Sequence, residues 1–163
     1  AGAVDQTLKM LSDKFGPALD GMDVPTMPEA WPDQAFSGAS HGGIHDSPCG
    51  IMMTLQERIL GVGSAAPGFA RCRIAPQLGS LAWAKGTVPT PRGDVRVSWE
   101  QSADGVLQFE IETPSDVPVE LELPRPSAAG SLTINGRAVD ATGTLKLPGG
   151  VCRGGWKCRT SKD

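Results

Sequence analysis

Hydrophobic spacing changes character near residue 62. In VDQTLKMLSDKFG, residues Val4, Leu8, Leu11 and Phe15 recur at alternating steps of four and three, which brings them to one helical face. Gly16-Pro17 is expected to end this helix. A second helix is expected from about Ser47 to Leu60. There Ser47 can cap, Pro48 fits the first helical position, Met52, Leu55 and Ile59 share a face, and Gly61 stops the run. Residues 17–44 between the two are a connection rich in Pro, Gly and Asp, longer than compact domains keep without a functional reason.

From Phe69 onward the period shortens to two. Val95, Val97 and Trp99 alternate with Arg96, Ser98 and Glu100, and Leu107, Phe109 and Ile111 alternate with Gln108, Glu110 and Glu112. Similar short runs are FARCRIA, LAWAKGTV, VELELP, SLTING, TLKLP and VCRGGWKC, separated by turn residues such as Pro91-Arg92-Gly93, Ala103-Asp104-Gly105 and Asn135-Gly136. About eight strands with no helix between them predict a mainly β protein, an antiparallel β-sandwich of jelly-roll-like form preceded by a short two-helix segment. The expected division is 1–62 for the helical segment and 63–163 for the sandwich. Two helices cannot enclose a core by themselves, so their apolar faces need a cover. That cover is the sandwich, a second polypeptide or oligomer partner, or a further part of a longer chain.

Composition agrees with this pattern and narrows the function. The 21 glycines and 14 prolines suit many turns rather than long helices. With 15 basic and 18 acidic residues, net charge −3 and no run of like charges, neither nucleic acid nor an anionic membrane surface is an expected partner. No apolar stretch approaches the roughly 20 residues that cross a bilayer, and AGAVDQTLKM lacks the basic and apolar regions of a signal peptide, as a processed or truncated start would. Cys49, Cys72, Cys152 and Cys158 lack the paired spacing of a zinc site. Cys152 and Cys158 flank RGGWK, which suits either a bridged hairpin in an oxidising compartment or separate buried thiols. An extracellular or periplasmic setting is expected.

One stretch carries candidate chemistry. PTMPEAWPDQAFSGASHGG, residues 25–43, places Glu29 beside Trp31 in a segment too broken for a helix and too irregular for a strand. His41 and His45, with Asp46 and Cys49, form H-x3-H-D-x2-C, but the glycines between the histidines argue against the helical presentation that zinc motifs use. No metal is expected. No Ser-His-Asp order or phosphate-cradling glycine loop is present, and no cofactor is expected. Trp83, Trp99 and Trp156 are candidates for stacking on sugars; Trp99 is expected in the core, and Trp156, in a glycine-rich hairpin, on the surface.

Residues 60–99 resemble the junction between catalytic domain and C-terminal β-sandwich in inverting, helical-barrel α-L-rhamnosidases. The resemblance rests on Leu60-Gly61-Val62, Ala66-Pro67-Gly68-Phe69, Arg73-Ile74-Ala75-Pro76, Leu78-Gly79, and Gly86-Thr87-Val88-Pro89-Thr90-Pro91, with Gly93 and a strand ending in Trp99. Upstream, FGPALDGMDVPTMPEAW is similar to the family's Thr-x-x-Glu-x-Trp segment, and SGASHGG resembles its following serine and His-Gly segment. The chain departs from the family at Pro28 and Gly43, where aromatic residues are usual.

The resemblance implies that Glu29 takes the general-base position and His41 that of a site histidine; Trp31, His45 and Trp156 are candidate substrate contacts from their residue types and surroundings. Inversion needs two carboxyl groups roughly 6.5–9.5 Å apart, one protonated and one ionised. The segment that carries the family's general acid has no counterpart in this sequence. The expected function is therefore the C-terminal part of an α-L-rhamnosidase-like glycoside hydrolase. It would hydrolyse terminal α-L-rhamnosides by inversion only when another chain or segment supplies the rest of the barrel. The alternatives are a stand-alone carbohydrate- or protein-binding sandwich module and a repurposed small enzyme.

Overall fold

The computed structural model describes residues 2–20, 50–124, 130–140 and 143–158, and all structural statements concern these. The chain divides into two compact units, Ala1–Thr54 and Leu55–Asp163. In the first, α1 spans Ala3–Asp20 and α2 spans Gly50–Thr54. Asp5 accepts a hydrogen bond from the Gly2 amide at 3.3 Å, and Lys9 pairs with Asp13 one turn on at 2.6 Å. Contrary to the expected stop at Gly16-Pro17, α1 runs on to Asp20. Pro17 has no N–H and so removes only the helical bond it would have donated to the Asp13 carbonyl. A single such loss does not forbid another turn.

The expected second helix is also corrected. After α2 the backbone widens into a π-helical turn, Leu55–Leu60. A π turn advances less angle per residue than an α turn, so the spacing that put Met52 on one face with Ile59 fails across Thr54. Ile59 is buried, whereas Met52 is exposed. Gly61 does end the helical stretch, with φ +80. Ser47 and Pro48 lie outside the described residues.

The second unit is a sandwich of two sheets. Its strands are β1 (Val62–Ala66), β2 (Arg71–Ile74), β3 (Trp83–Thr90), β4 (Gly93–Gln101), β5 (Val106–Thr113), β6 (Val119–Leu121), β7 (Gly130–Ile134), β8 (Arg137–Val139), β9 (Leu145–Leu147) and β10 (Gly150–Cys158). One sheet has the order β1-β2-β6-β9 and the other β3-β4-β5-β10-β7-β8. All pairs are antiparallel except β2 with β6, which is parallel and matches Cys72 with Val119 and Ile74 with Leu121. Two strands exceed the expected set: β1 and β8.

The alternation seen in the sequence sets the core. Val95, Val97 and Trp99 of β4 and Leu107, Phe109 and Ile111 of β5 turn inward, as do Val62, Ile74 and Leu121 from the other sheet. Each such burial contributes roughly 1.5–3 kcal/mol. Thr113, the buried polar residue of the described set, is satisfied: its hydroxyl donates to the Val117 carbonyl at 3.1 Å and accepts from the Gly150 amide at 3.3 Å. Asn135 and Gly136, at φ 49 and φ 76, form the tight connection of β7 to β8.

The hairpin expected at RGGWK is replaced by one continuous strand, β10. Gly154 serves packing: a side-chain carbon there would strike the Phe109 ring and the Thr133 carbonyl. Cys152 and Cys158 therefore lie six residues apart along one strand, about 20 Å at strand rise. A disulfide needs Cα atoms within roughly 7 Å, so this pair cannot bridge. Cys152 is a free, buried thiol, and so is Cys72.

Burial without a charged partner pushes the Cys72 thiol up to about 12. An acid whose folded value is raised stabilises the fold while the unfolded chain stays protonated. That contribution is lost as pH rises from about 9 towards 12. Iodoacetamide at pH 8 is expected to leave Cys72 unmodified in the native chain and to alkylate it in urea, as peptide mapping would read. Native alkylation at the rate of a free cysteine would contradict the burial of this thiol.

Candidate functional site

Glu29, Trp31, His41 and His45 lie outside the described residues, as do Asp46 and Cys49. Among the described residues no group of three or more His, Cys, Asp or Glu side chains could hold a metal ion, and no helix is long and apolar enough to cross a membrane.

The tryptophans fall differently from the sequence expectation. Trp99 is in the core, as expected. Trp156 is buried, at 5% exposure, so it is not the surface ring that a glycine-rich hairpin would have made it. It points inward in phase with Cys152 on β10, and its indole Nε1 has no hydrogen-bond partner. Among the described tryptophans Trp83, at 66% exposure, is the exposed indole. The signal was present in the alternation: Ala84 and Val88 are buried, so Trp83, Lys85 and Thr87 must face out.

On that outer face of the six-stranded sheet lies an open groove of about 450 Å³. Register builds it in two cross-strand rows. In the first, Trp83 of β3 pairs with Glu100 of β4, which pairs with Gln108 of β5. In the second, Lys85 pairs with Ser98, Ser98 with Glu110, and Glu110 with Arg153 of β10. All of these line the groove. Arg153 grips Glu110 with two hydrogen bonds of 2.8 and 3.0 Å. That guanidinium, with Lys85 as a weaker neighbour, holds the Glu110 carboxyl below the usual range. The side chains of Glu100 and Gln108 make no hydrogen bond to the protein among the described residues.

The interior is anchored on the other side of the same strands. The Trp99 indole donates from Nε1 to the Leu60 carbonyl at 3.0 Å, and its ring lies 5.4 Å from that of Phe109. Gly86 on β3 leaves room for the Leu60 side chain, which occupies the space a Cβ would need. The π turn is thereby fixed to β3 and β4 beneath the groove.

Residues 61–138 match the family model described as the bacterial alpha-L-rhamnosidase C-terminal domain. An alpha-L-rhamnosidase of Alteromonas sp. (strain LOR) is 42% identical over 69 residues, which is 42% of this chain and 7% of that protein. Two solved structures share the fold. The alpha-L-rhamnosidase of Streptomyces avermitilis, complexed with L-rhamnose, gives a TM-score of 0.58 at 19% identity, covering 70% of this chain and 11% of its own. That of Dictyoglumus thermophilum gives 0.55 at 17% identity, covering 62% and 12%. The chain thus spans about a tenth of the length of the relatives it matches. The sequence resemblance to the C-terminal portion of these proteins is borne out.

Proposed function

We propose that this chain, whose residues 61–138 carry the C-terminal domain of the bacterial α-L-rhamnosidase kind, is the closing portion of an inverting rhamnoside hydrolase. The observation that carries the reading is that family match, which begins at residue 61, about 30 residues after a Thr26-x-x-Glu29-x-Trp31 segment that resembles the rhamnosidase one. In this reading Glu29 removes a proton from water as it attacks the anomeric carbon of a terminal α-L-rhamnoside. Trp31 supplies an apolar wall, and His41 and His45 contact the sugar. The general acid comes from the remainder of the barrel, either another stretch of a longer polypeptide or a separate chain.

The helical unit supports the need for such a complement. Val4, Leu8 and Leu11 of α1 are only half-buried, and Met10, Met52 and Met53 are exposed. These apolar surfaces suit further helices packing over them.

Hydrolysis of 4-nitrophenyl α-L-rhamnoside tests the proposal. The 163-residue chain by itself is expected to give no turnover above background. Completed by the missing barrel, it should release β-L-rhamnose first, visible by proton NMR. Glu29→Gln in the completed enzyme is expected to lose turnover on the order of a hundredfold, the low end for a general base. Undiminished turnover in that variant removes Glu29 from the mechanism.

A further inference from the structure

The outer groove of the six-stranded sheet needs its own explanation. An indole two-thirds exposed is costly to leave in water unless something covers it, and Trp83 sits at the mouth of a groove rather than on a convex surface. Its volume, about 450 Å³, is of the size that small ligands fill.

The polar lining selects among occupants. Two cations, Lys85 and Arg153, stand against two carboxylates, Glu100 and Glu110, so the groove offers no net charge to a phosphate or to an acidic or basic peptide. It does offer donors and acceptors side by side. The Glu100 carboxylate accepts, the Gln108 side-chain amide does both, and neither side chain bonds to the protein among the described residues. Arg153 and Glu110 are clamped to each other and form a rigid wall. Neutral sugars match this set: a flat apolar ring face for the indole, and hydroxyls that each donate and accept. Because Trp83 begins β3, an edge strand, the groove opens at the sheet margin and can admit a chain rather than only a single ring.

We propose that Trp83, Glu100 and Gln108 form a binding site for a neutral oligosaccharide on the outer face of the sandwich. Trp83 stacks on one pyranose, and Glu100 and Gln108, in the same cross-strand row, bond its hydroxyls. The site depends only on the described sheet, so it stands or falls independently of Glu29.

Calorimetric titration of the whole chain with L-rhamnose, rutinose, xylohexaose and cellohexaose tests it. At least one is expected to bind with a 1:1 stoichiometry. Trp83→Ala should weaken that binding at least about tenfold, Trp83→Phe less, and Glu100→Ala several-fold. Circular dichroism melting should be unchanged in Trp83→Ala, since that side chain is outside the core. The proposal is overturned if none of the four saccharides binds, or if binding survives Trp83→Ala intact. It is equally overturned if sedimentation shows self-association that Trp83→Ala abolishes while no saccharide binds, because the face is then a protein interface.

Discussion

Trp99→Ala is expected to lower the unfolding free energy by about 3–5 kcal/mol, the range for truncating a large buried aromatic residue. Trp99 is 1% exposed and lies directly opposite Phe109 across β4 and β5. Its removal leaves a void between the sheets and cuts the bond from Nε1 to the Leu60 carbonyl. That bond is the tie between the π turn and β4, so the variant should also expose Leu55–Leu60 to faster amide exchange. Trp99→Phe separates the two losses: most ring volume stays, while the Leu60 carbonyl is left unpaired at a cost of about 1–3 kcal/mol. Urea unfolding followed by circular dichroism reads both. A shift below about 1 kcal/mol for Trp99→Ala would mean that this ring does not organise the core.

Such residues were legible because their signal is local. Val95, Val97 and Trp99 declare a buried face by alternation, Asn135-Gly136 declares a tight turn, and Gly61 declares a helix end. Structure that depends on distant partners was not legible. VGSAA, with only one β-branched residue, becomes β1 because β2 is there to pair with it. The parallel match of β2 with β6 joins segments with three strands of the other sheet between them in sequence.

The glycines of β10 illustrate the same limit. Gly154 and Gly155 look like turn residues, but Gly154 is small so that the Phe109 ring can cross it. That misreading put Trp156 on the surface, while the phase of β3 already placed Trp83 there. For the catalytic segment, periodicity is uninformative: Glu29 and His41 stand in irregular sequence, and only the resemblance of their motifs gives them roles.

Gly61→Ala should cost about 2–5 kcal/mol, although it adds a single carbon. Its φ of +80 is left-handed, which charges any other residue about 1–2 kcal/mol. Packing adds a second cost. The new Cβ would meet the Ala75 carbonyl carbon and the Pro76 nitrogen, and would lie 2.7 Å from the Ala75 amide nitrogen. These are backbone atoms and cannot rotate away, so the strand must move at about 1–3 kcal/mol. Movement there also strains the 2.8 Å bond from the Ala75 amide to the Gly61 carbonyl and the 2.8 Å bond from the Gln77 amide to the Arg58 carbonyl. Both hold the end of the π turn against the segment after β2. Gly105→Ala is the matched control: its φ is +78, but a Cβ there meets nothing within 4 Å. It should therefore pay only the conformational part, about 1–2 kcal/mol. Equal losses for the two variants in urea unfolding would refute a close backbone approach at Gly61. A larger loss at Gly61 would identify this glycine as the point where the helical approach is joined to the first strand of the sandwich.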